Sequence, residues 1–355
     1  MKISTLTDHI FTPSSRFRVR QYIDPLESYG IFVNDLERKN SIQLVADGYT
    51  SIKKSPYLVY KALLQEFLDV SNTFSRTLKS RNSDVVWLSR QLIIGYPSFE
   101  FLLKSPLIYD IDDSVFLTSY LSQKQVEYSA KRANLIFAGN DYLADYLSKY
   151  SKSIHIVPTV VDTNLFTPNW ESPAILNNEN EKIVIGWSGG SSSYKFFQPL
   201  EDIFIAILKK YKNVKIVFVS DRPPYELKKL LCLIEFVKWS DINEVSTMQN
   251  FDLGVMPLEN SDWVRGKCAY KMLLYASCGI PVVASPFGEN KKILDNHDIG
   301  LAPLDADDWF SAIETLITDH GLRSKYGIQG RRYVLENKSL KVWTKNISNL
   351  ILNKL

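Results

Sequence analysis

Residues 251–293 have the sequence FDLGVMPLENSDWVRGKCAYKMLLYASCGIPVVASPFGENKKI. Two short apolar runs in this segment, FDLGVMP and IPVVAS, predict buried strands. Between them, the stretch from Lys271 toward Ser277 predicts a helix. A strand, a helix and a second strand in this order are typical of a parallel sheet covered by helices. The segment therefore predicts an α/β fold.

The same alternation extends over the whole chain. Strand candidates in the first half are MKISTL, GIFVN, DVVWL, PLIYDI, NLIFAG and SIHIVP, and the second half begins with KIVIGWS and NVKIVFVS. A chain of 355 residues that is 45% hydrophobic can form two domains with a core each. We predict two doubly wound domains, at residues 1–165 and 166–338, with the boundary in the polar passage 163–181.

The composition excludes several classes of protein. The 42 Lys+Arg against 39 Asp+Glu leave a net charge of +3, which is too low for a protein that binds nucleic acid over a large surface. The three cysteines, Cys232, Cys268 and Cys278, form no C-x-x-C pair and predict neither a disulfide framework nor a zinc site. The four histidines are scattered singly, so no metal is expected. Without the apolar core of a signal peptide or a clear membrane span, we expect a cytoplasmic protein.

Glycine is concentrated in the second half of the chain. No G-x-G-x-x-G follows the first strand, which argues against a dinucleotide-dependent dehydrogenase. The turn IGWSGGSSSYK at residues 185–195 instead follows a strand and precedes a helix. Its backbone N–H groups could bind a phosphate, although an ordinary loop explains the same residues.

Several motifs resemble those of family-4 glycosyltransferases with the GT-B fold. Residues 251–293 are similar to a branch of that family with the motifs D-I-G-x-M-P-L, R-G-K-C and K-x-L-x-Y-x-A-x-G-x-P-V-V-A-S. The likeness continues in SSRFRV, IYDIDD, AGNDYLADY, VPTVVDT and GWSG, in the expected order over most of the chain. The resemblance implies two Rossmann-like domains facing across a cleft. It also implies a final helix, at 339–355, that crosses back to the first domain, although a helix packed on its own domain fits the period equally well.

The resemblance also implies an activity. Such enzymes move a sugar from a nucleotide diphosphate sugar to a glycan, lipid-linked or small-molecule acceptor, with retention at the anomeric carbon and without a metal or another cofactor. The donor is expected on the C-terminal domain and the acceptor on the N-terminal domain. A role in polysaccharide biosynthesis follows, and peripheral contact with the inner face of a membrane stays open.

The predicted donor site must stabilise the charge of a departing diphosphate without a metal. Lys195 and Lys271 match the family's diphosphate-binding lysines, whereas a lone basic residue is more often a solvated surface charge. The predicted diphosphate contacts are Gly189, Gly190, Lys195, Arg265, Lys267 and Lys271.

The E-x7-E motif of the family is absent, since its two positions are held by Gly266 and Leu274. Sugar or ribose contacts are therefore expected from the backbone near Gly266, Lys267 and Cys268, or from Glu289 and Asn290. The leucine also favours an alternative, a catalytically silent GT-B protein that binds a nucleotide sugar or glycan as a partner or regulator. A sugar-nucleotide epimerase would need an acid/base pair that the matched turn lacks.

On the N-terminal side, the motif SSRFRVR predicts a capped helix that presents Arg16 and Arg20 at i and i+4, a face able to bind an anion. A solvated basic turn is the alternative. Asp110, Asp112 and Asp113 follow the strand PLIYDI, at the edge where open α/β sheets bind ligands.

Of these acids, Asp112 and Asp113 are predicted to orient the acceptor hydroxyl, with Arg16 as a third catalytic candidate. A cap for the following helix is the structural alternative for the aspartates. We exclude a metal-binding D-x-D motif, because it belongs to a different glycosyltransferase fold.

Overall fold

The computed structural model describes residues 1–39, 56–93, 95, 97–169 and 182–355. The chain divides into two compact units. Unit 1 consists of Met1–Thr159 and Trp343–Leu355, and unit 2 consists of Val160–Val342.

Unit 1 is built on a parallel sheet of six strands. The strands are β1 (Lys2–Thr7), β2 (Phe32–Glu37), β3 (Val85–Ser89), β4 (Leu107–Ile111), β5 (Leu135–Ala138) and β6 (Ile154–Ile156). Their order in the sheet is β2-β1-β3-β4-β5-β6. Strands β3, β4 and β5 are buried throughout, which explains their continuous apolar sequences.

Helices connect these strands. They are α1 (Ile23–Glu27), α2 (Pro56–Ser80), α3 (Tyr120–Arg132) and α4 (Asp141–Leu147). The last helix of the chain, α12 (Leu340–Lys354), belongs to unit 1 from Trp343 onward. Ser119 and Asn140 cap α3 and α4 by accepting hydrogen bonds from the backbone of the first turn. The motif SSRFRVR forms a π-helical turn at Ser15–Val19 followed by a 3₁₀ turn at Arg20–Tyr22, rather than the predicted α-helix.

Unit 2 contains a second parallel sheet. Its strands are β7 (Ile183–Ser188), β8 (Val214–Ser220), β9 (Ile234–Lys238), β10 (Leu253–Met256), β11 (Val282–Ala284) and β12 (Gly300–Leu301), in the order β12-β11-β10-β7-β8-β9. The helices are α5 (Glu201–Lys210), α6 (Glu244–Met248), α7 (Asp262–Arg265), α8 (Tyr270–Ser277), α9 (Glu289–Asn296), α10 (Ala306–Thr318) and α11 (His320–Asn337).

Two doubly wound α/β domains are therefore confirmed, and each strand candidate quoted above is a strand. Strands β9 and β12 were not predicted, because β9 is a half-exposed edge strand and β12 has only two residues. Within the described ranges, no helix has both the length and the apolar character needed to cross a lipid bilayer.

Candidate functional sites at the two sheet edges

In each sheet the chain order reverses at one point. In unit 2, the chain runs from β7 outward to β8 and β9 on one side. It then crosses to the other side of β7, where it forms β10, β11 and β12. In unit 1, β1 lies between β2 and β3 in the same way. Open α/β sheets bind ligands outside the carboxyl ends of the strands at such a switch point. The two candidate sites are therefore the loops that follow β7 and β10, and those that follow β1 and β3.

Lys271 lies directly over the glycine turn that follows β7. A Cβ atom added to Gly189 would stand 2.2 Å from Lys271 Cε and 3.1 Å from its Nζ, so the close approach requires a glycine. The ammonium group is 6.0 Å from the centre of the Trp187 ring. One helical turn further along α8, the hydroxyl of Tyr275 accepts a hydrogen bond of 2.9 Å from Ser188 N. Helix α8 thus fixes a cation at the switch point of unit 2.

The Gly/Ser turn itself differs from the prediction. Its helix is a 3₁₀ helix at Ser191–Phe196, so Lys195 stands in the last turn rather than at the start. Ser191 donates both its N–H (2.7 Å) and its hydroxyl (2.8 Å) to the carboxylate of Asp221. This N–H group is therefore directed at a carboxylate and is not available to a phosphate. Burial raises the pKa of Asp221, but the hydrogen bonds from Ser191 outweigh it and hold the pKa below its usual range.

Lys195 is an exposed residue beside the loop that follows β10. Its Nζ atom lies 3.6 Å from Glu259 Oε1, and both side chains are more than half exposed. An exposed pair at this distance contributes little to stability. Lys195 is thus placed where an anion could replace Glu259 as its partner.

The motif R-G-K-C ends α7 and turns toward α8. Arg265 forms an exposed ion pair of 3.2 Å with Asp262. The N–H groups of Gly266 and Lys267 both donate to Val264 O, so these two groups are engaged within the turn, and their predicted contact with the sugar stays a prediction. Cys268 is buried.

The loop after β11 packs on the same motif. Gly288 has a φ of +55°, and a Cβ atom there would stand 3.1 Å from Arg265 Cα. The following Glu289 is nearly buried and pairs with Lys338 at 3.3 Å. Asn290 is buried and donates from Nδ2 to Ser285 O at 3.3 Å. The side chains of Glu289 and Asn290 are thus engaged in holding this loop.

Leu274 is a core residue. Its side chain is 4% exposed and packs in a cluster with Met272, Leu273 and Tyr275. The position of the second glutamate of the E-x7-E motif is therefore filled by an apolar side chain that faces the interior of unit 2.

In unit 1, Arg90 follows β3 at the switch point and binds both predicted catalytic aspartates. Its Nε lies 2.5 Å from Asp112 Oδ1, and its Nη2 lies 3.2 Å from Asp113 Oδ2. Arg90 has a φ of +59°, a left-handed conformation that is uncommon for a residue with a side chain. Burial raises the pKa of Asp112, but Arg90 and Arg18 outweigh it and lower the pKa below its usual range. Asp112 is thus a carboxylate at neutral pH.

Arg18 was not among the predicted site residues, and its side chain is almost fully buried. Arg18 Nη2 lies 2.6 Å from Asp110 Oδ1, and both side chains are almost fully buried. Burial raises the pKa of Asp110 to about 6, although Arg18 opposes the shift. Without a structure, only the strand-end position of Asp110 could have indicated this pair, because 92 residues separate the partners.

The predicted Arg16/Arg20 face is corrected by the structure. Arg20 Nε lies 2.6 Å from Asp35 Oδ2, and its Nη2 donates to Thr7 Oγ1 at 2.9 Å and to Asp8 O at 3.0 Å. Its guanidinium is therefore engaged inside unit 1 and does not form an anion-binding face with Arg16. The π-helical and 3₁₀ turns replace the regular i, i+4 spacing on which the prediction relied.

Comparison with known proteins gives a family match for part of unit 2. Residues 182–319 match the family model described as Glycosyl transferases group 1. This region contains β7 to β12 and the whole candidate site of unit 2. No curated protein matches the sequence.

Solved structures of glycosyltransferases share the fold over nearly the whole chain. Sucrose-phosphate synthase from Thermosynechococcus elongatus has a TM-score of 0.70 at 14% identity, covering 99% of each chain. Anabaena Alr3699/HepE in complex with UDP and glucose has a TM-score of 0.69 at 14% identity, covering 99% of this chain and all of the other. WaaG, a glycosyltransferase involved in lipopolysaccharide biosynthesis, has a TM-score of 0.61 at 13% identity, covering 98% and 99%. The chain therefore has the two-domain GT-B fold.

Proposed function

We propose that this protein is a glycosyltransferase and that unit 2 binds its nucleotide sugar donor. The observation that carries the proposal is the contact of Lys271 with Gly189, at the switch point of a unit that matches group 1 glycosyl transferases. Three structures of the neighbour Alr3699/HepE are complexes with UDP and glucose, with UDP, and with UDP-glucose. A UDP-sugar is therefore the first donor class to test.

In the proposed reaction, the bond between the anomeric carbon and the diphosphate oxygen breaks while a bond to the acceptor oxygen forms. Lys271 stabilises the negative charge that grows on the diphosphate, with Lys195 as a second cation. The acceptor proton passes to the departing phosphate oxygen, so attack on the same face gives retention. We propose that no metal takes part, as in family-4 enzymes, and that the reaction serves polysaccharide biosynthesis in the cytoplasm.

Unit 1 is proposed to bind the acceptor. Asp112 and Asp113 are carboxylates held by one guanidinium, so each can also accept a hydrogen bond from a sugar hydroxyl. Arg16 is proposed to contact the acceptor on its own, since Arg20 is engaged elsewhere. The acceptor is a glycan, a lipid-linked sugar or a small molecule.

The test is the release of nucleoside diphosphate from a panel of nucleotide sugars, together with calorimetric binding of the nucleoside diphosphates. Lys271→Ala should weaken the affinity for the preferred diphosphate by about 10- to 100-fold, because it removes a charge-assisted contact. Lys229→Ala is the matched control, since Lys229 is an exposed lysine that pairs with Asp202. Equal affinities for the two variants would place the donor elsewhere.

A second candidate function is a silent GT-B protein that binds a nucleotide sugar without transferring it. The buried Leu274 favours it, because a leucine cannot accept hydrogen bonds from a ribose. Tight binding of a nucleotide sugar, with neither transfer nor hydrolysis over the whole donor panel, would support this alternative over the enzyme.

A further inference from the structure

A cavity of about 380 Å³ lies in unit 1 between the last helix, α12, and the edge strand β6. This volume is in the range of ligand-binding pockets. Helix α12 contributes Trp343 and all three of its asparagines, Asn346, Asn349 and Asn353. We call it the α12 cavity. It is distinct from the two candidate sites above, because its described lining residues lie on β6 and α12 rather than on the loops at the switch points.

The three asparagines form a row along one side of α12. Their spacing of three and then four residues places Asn346, Asn349 and Asn353 one above another on the helix surface. Asparagine is a poor helix former, since its side chain competes for backbone hydrogen bonds. Three of them in a helix of 15 residues therefore oppose its local stability. Such a conflict between local preference and structure is expected where a helix face serves a binding function.

The amides of this row are available to a ligand. Asn346, Asn349 and Asn353 are exposed, and their side chains form no hydrogen bond with another residue in the part of the chain that the structure describes. Each amide provides two N–H donors and a carbonyl acceptor. Trp343, one helical turn before Asn346, adds a large aromatic side chain to the same cavity.

The lining of the α12 cavity carries little charge. His155 and Ile156 of β6 form one wall, and Leu350 and Lys354 complete the side that α12 provides. Burial and the nearby Lys354 ammonium group lower the pKa of the His155 imidazole below its usual value, so the ring is uncharged at neutral pH. Among the lining residues that the structure describes, Lys354 is then the one charged group. A single exposed lysine is a weak site for a phosphate, whereas an uncharged polar ligand needs no counter-charge.

We propose that the α12 cavity binds a neutral oligosaccharide. The Trp343 ring offers a flat apolar surface to the apolar face of a sugar ring, and the asparagine amides donate to and accept from its hydroxyl groups. A peptide that adds to the edge of β6 fits less well, because this strand has only three residues.

The β6 wall of the cavity is level with the predicted acceptor-binding aspartates. Ile156 pairs with Ala138 on β5, and Ala138 pairs with Ile111 on β4, the residue directly before Asp112. Two strand spacings, about 10 Å, therefore separate this wall from β4. The cavity and the predicted acceptor edge thus lie close together within one unit.

Arg18 connects the ends of the same two strands. Its Nη1 donates to Val157 O, directly after β6, and its Nη2 donates to Asp110 Oδ1 on β4 at 2.6 Å. Because this guanidinium is buried, it holds the two strand ends at a fixed separation.

This inference rests on the proposed function and narrows its acceptor class. An oligosaccharide whose terminal sugar lies at Asp112 can extend past β5 and place a more distant sugar in the α12 cavity. Among glycan, lipid-linked and small-molecule acceptors, we therefore infer a glycan of several sugar units.

The test is calorimetric binding of three neutral pentasaccharides, maltopentaose, cellopentaose and chitopentaose, to the full chain. The wild-type protein should bind at least one of them, and should bind its monosaccharide more weakly. Trp343→Ala should weaken the affinity about tenfold, whereas Trp343→Phe keeps a ring and should lose about threefold or less. Asn349→Ala/Asn353→Ala should lose about tenfold, because it removes two hydrogen-bonding amides.

The matched control is Asn82→Ala/Asn164→Ala, which removes two exposed asparagine side chains outside the cavity. It should bind the pentasaccharide like the wild type, and circular dichroism should show that every variant folds. If the wild type bound none of the three pentasaccharides, the proposal would be overturned. An unchanged affinity of Asn349→Ala/Asn353→Ala would equally overturn it, because the saccharide would then bind elsewhere.

Kinetics with the preferred nucleotide sugar test the acceptor class. Asn349→Ala/Asn353→Ala should raise the KM for the bound pentasaccharide about tenfold and leave kcat unchanged, because the cavity lies away from the reacting atoms. A monosaccharide acceptor with a KM as low as that of the pentasaccharide would overturn the inference of a glycan acceptor.

Nucleoside diphosphate affinity separates this inference from the proposed function. The variants of the α12 cavity should retain that affinity. Lys271→Ala should lose it and still bind the pentasaccharide. Pentasaccharide binding that fails while nucleotide binding holds would overturn only the α12 cavity, and the reverse result would overturn only the donor site.

Discussion

The carboxyl edges of the two sheets have the same topology but opposite electrostatic arrangements. In unit 1, the arginines that reach the edge are neutralised by carboxylates of the same unit, as in the pairs of Arg18 with Asp110 and of Arg90 with Asp112. In unit 2, Lys271 lies over a glycine and an indole ring, and Lys195 lies 3.6 Å from the exposed Glu259.

This difference indicates what each edge is suited to bind. A guanidinium in a buried pair is held in place by its carboxylate and contributes rigidity rather than charge for a ligand. A lysine carries a compact ammonium on a flexible stem, which can turn toward an anion. This contrast supports the proposal that unit 2 binds a diphosphate and that unit 1 binds a hydroxyl-bearing group, which needs acceptors of hydrogen bonds.

The largest expected effect comes from breaking the buried pair of unit 1. Asp110→Ala removes the carboxylate that lies 2.6 Å from the buried Arg18 guanidinium, which should lower the free energy of unfolding by about 3–5 kcal/mol. Urea unfolding measures the loss. Asp202→Ala, at an exposed ion pair, is the control and should change stability by about 0.5 kcal/mol or less. Equal stabilities of the two variants would mean that Arg18 finds another partner and that the contrast between the edges is overstated.

The next effect tests the core position in unit 2. Leu274→Glu should lower the free energy of unfolding by about 3 kcal/mol, because it buries a carboxylate without a partner. Leu304→Glu is the matched control, since Leu304 is 69% exposed. If Leu274→Glu instead kept full stability and tightened nucleotide binding, the side chain would face the ligand, and the resemblance to the E-x7-E position would hold after all.

A smaller effect tests whether Lys271 needs the glycine beneath it. Gly189→Ala places a Cβ atom where the Lys271 side chain runs, so the ammonium must move away from the turn. We expect nucleoside diphosphate affinity to fall about tenfold by calorimetry, equivalent to about 1.4 kcal/mol. Gly321→Ala is the control, because its nearest neighbour is 3.4 Å from the added atom. An unchanged affinity for Gly189→Ala would remove the turn from the donor site.

The sequence predicts the fold well because periodicity is a local property. The apolar runs of β7, β8, β10 and β11 carry their strand pattern within a few residues, and the pattern survives in the folded unit. Edge strand β9 was missed because none of its five residues is fully buried.

Site residues were harder to predict, because their partners are distant in the chain. Lys271 was predicted from its motif, but its contact with Gly189 depends on how α8 packs against β7. Arg18 was missed and Arg20 misassigned, since the π-helical turn changes which side chains point inward. Asp221, which holds Ser191, carries no local signal at all.

The smallest expected effect concerns Asp221, whose carboxylate fixes the turn after β7. The pKa of Asp221 is lower in the folded protein than in the unfolded chain. The ionised carboxylate therefore stabilises the fold at pH values above the unfolded pKa, and this stabilisation is lost as the pH falls through the folded pKa. Asp221→Asn should therefore cost about 1 kcal/mol at neutral pH, and the difference from wild type should shrink at about pH 3. Asp298→Asn, at an exposed ion pair, is the control. Urea unfolding at both pH values provides the measurement. If the difference in unfolding free energy persisted at the acidic pH, the geometry of Asp221, rather than its charge, would hold the turn. The electrostatic contrast between the two edges would then rest on the lysines alone.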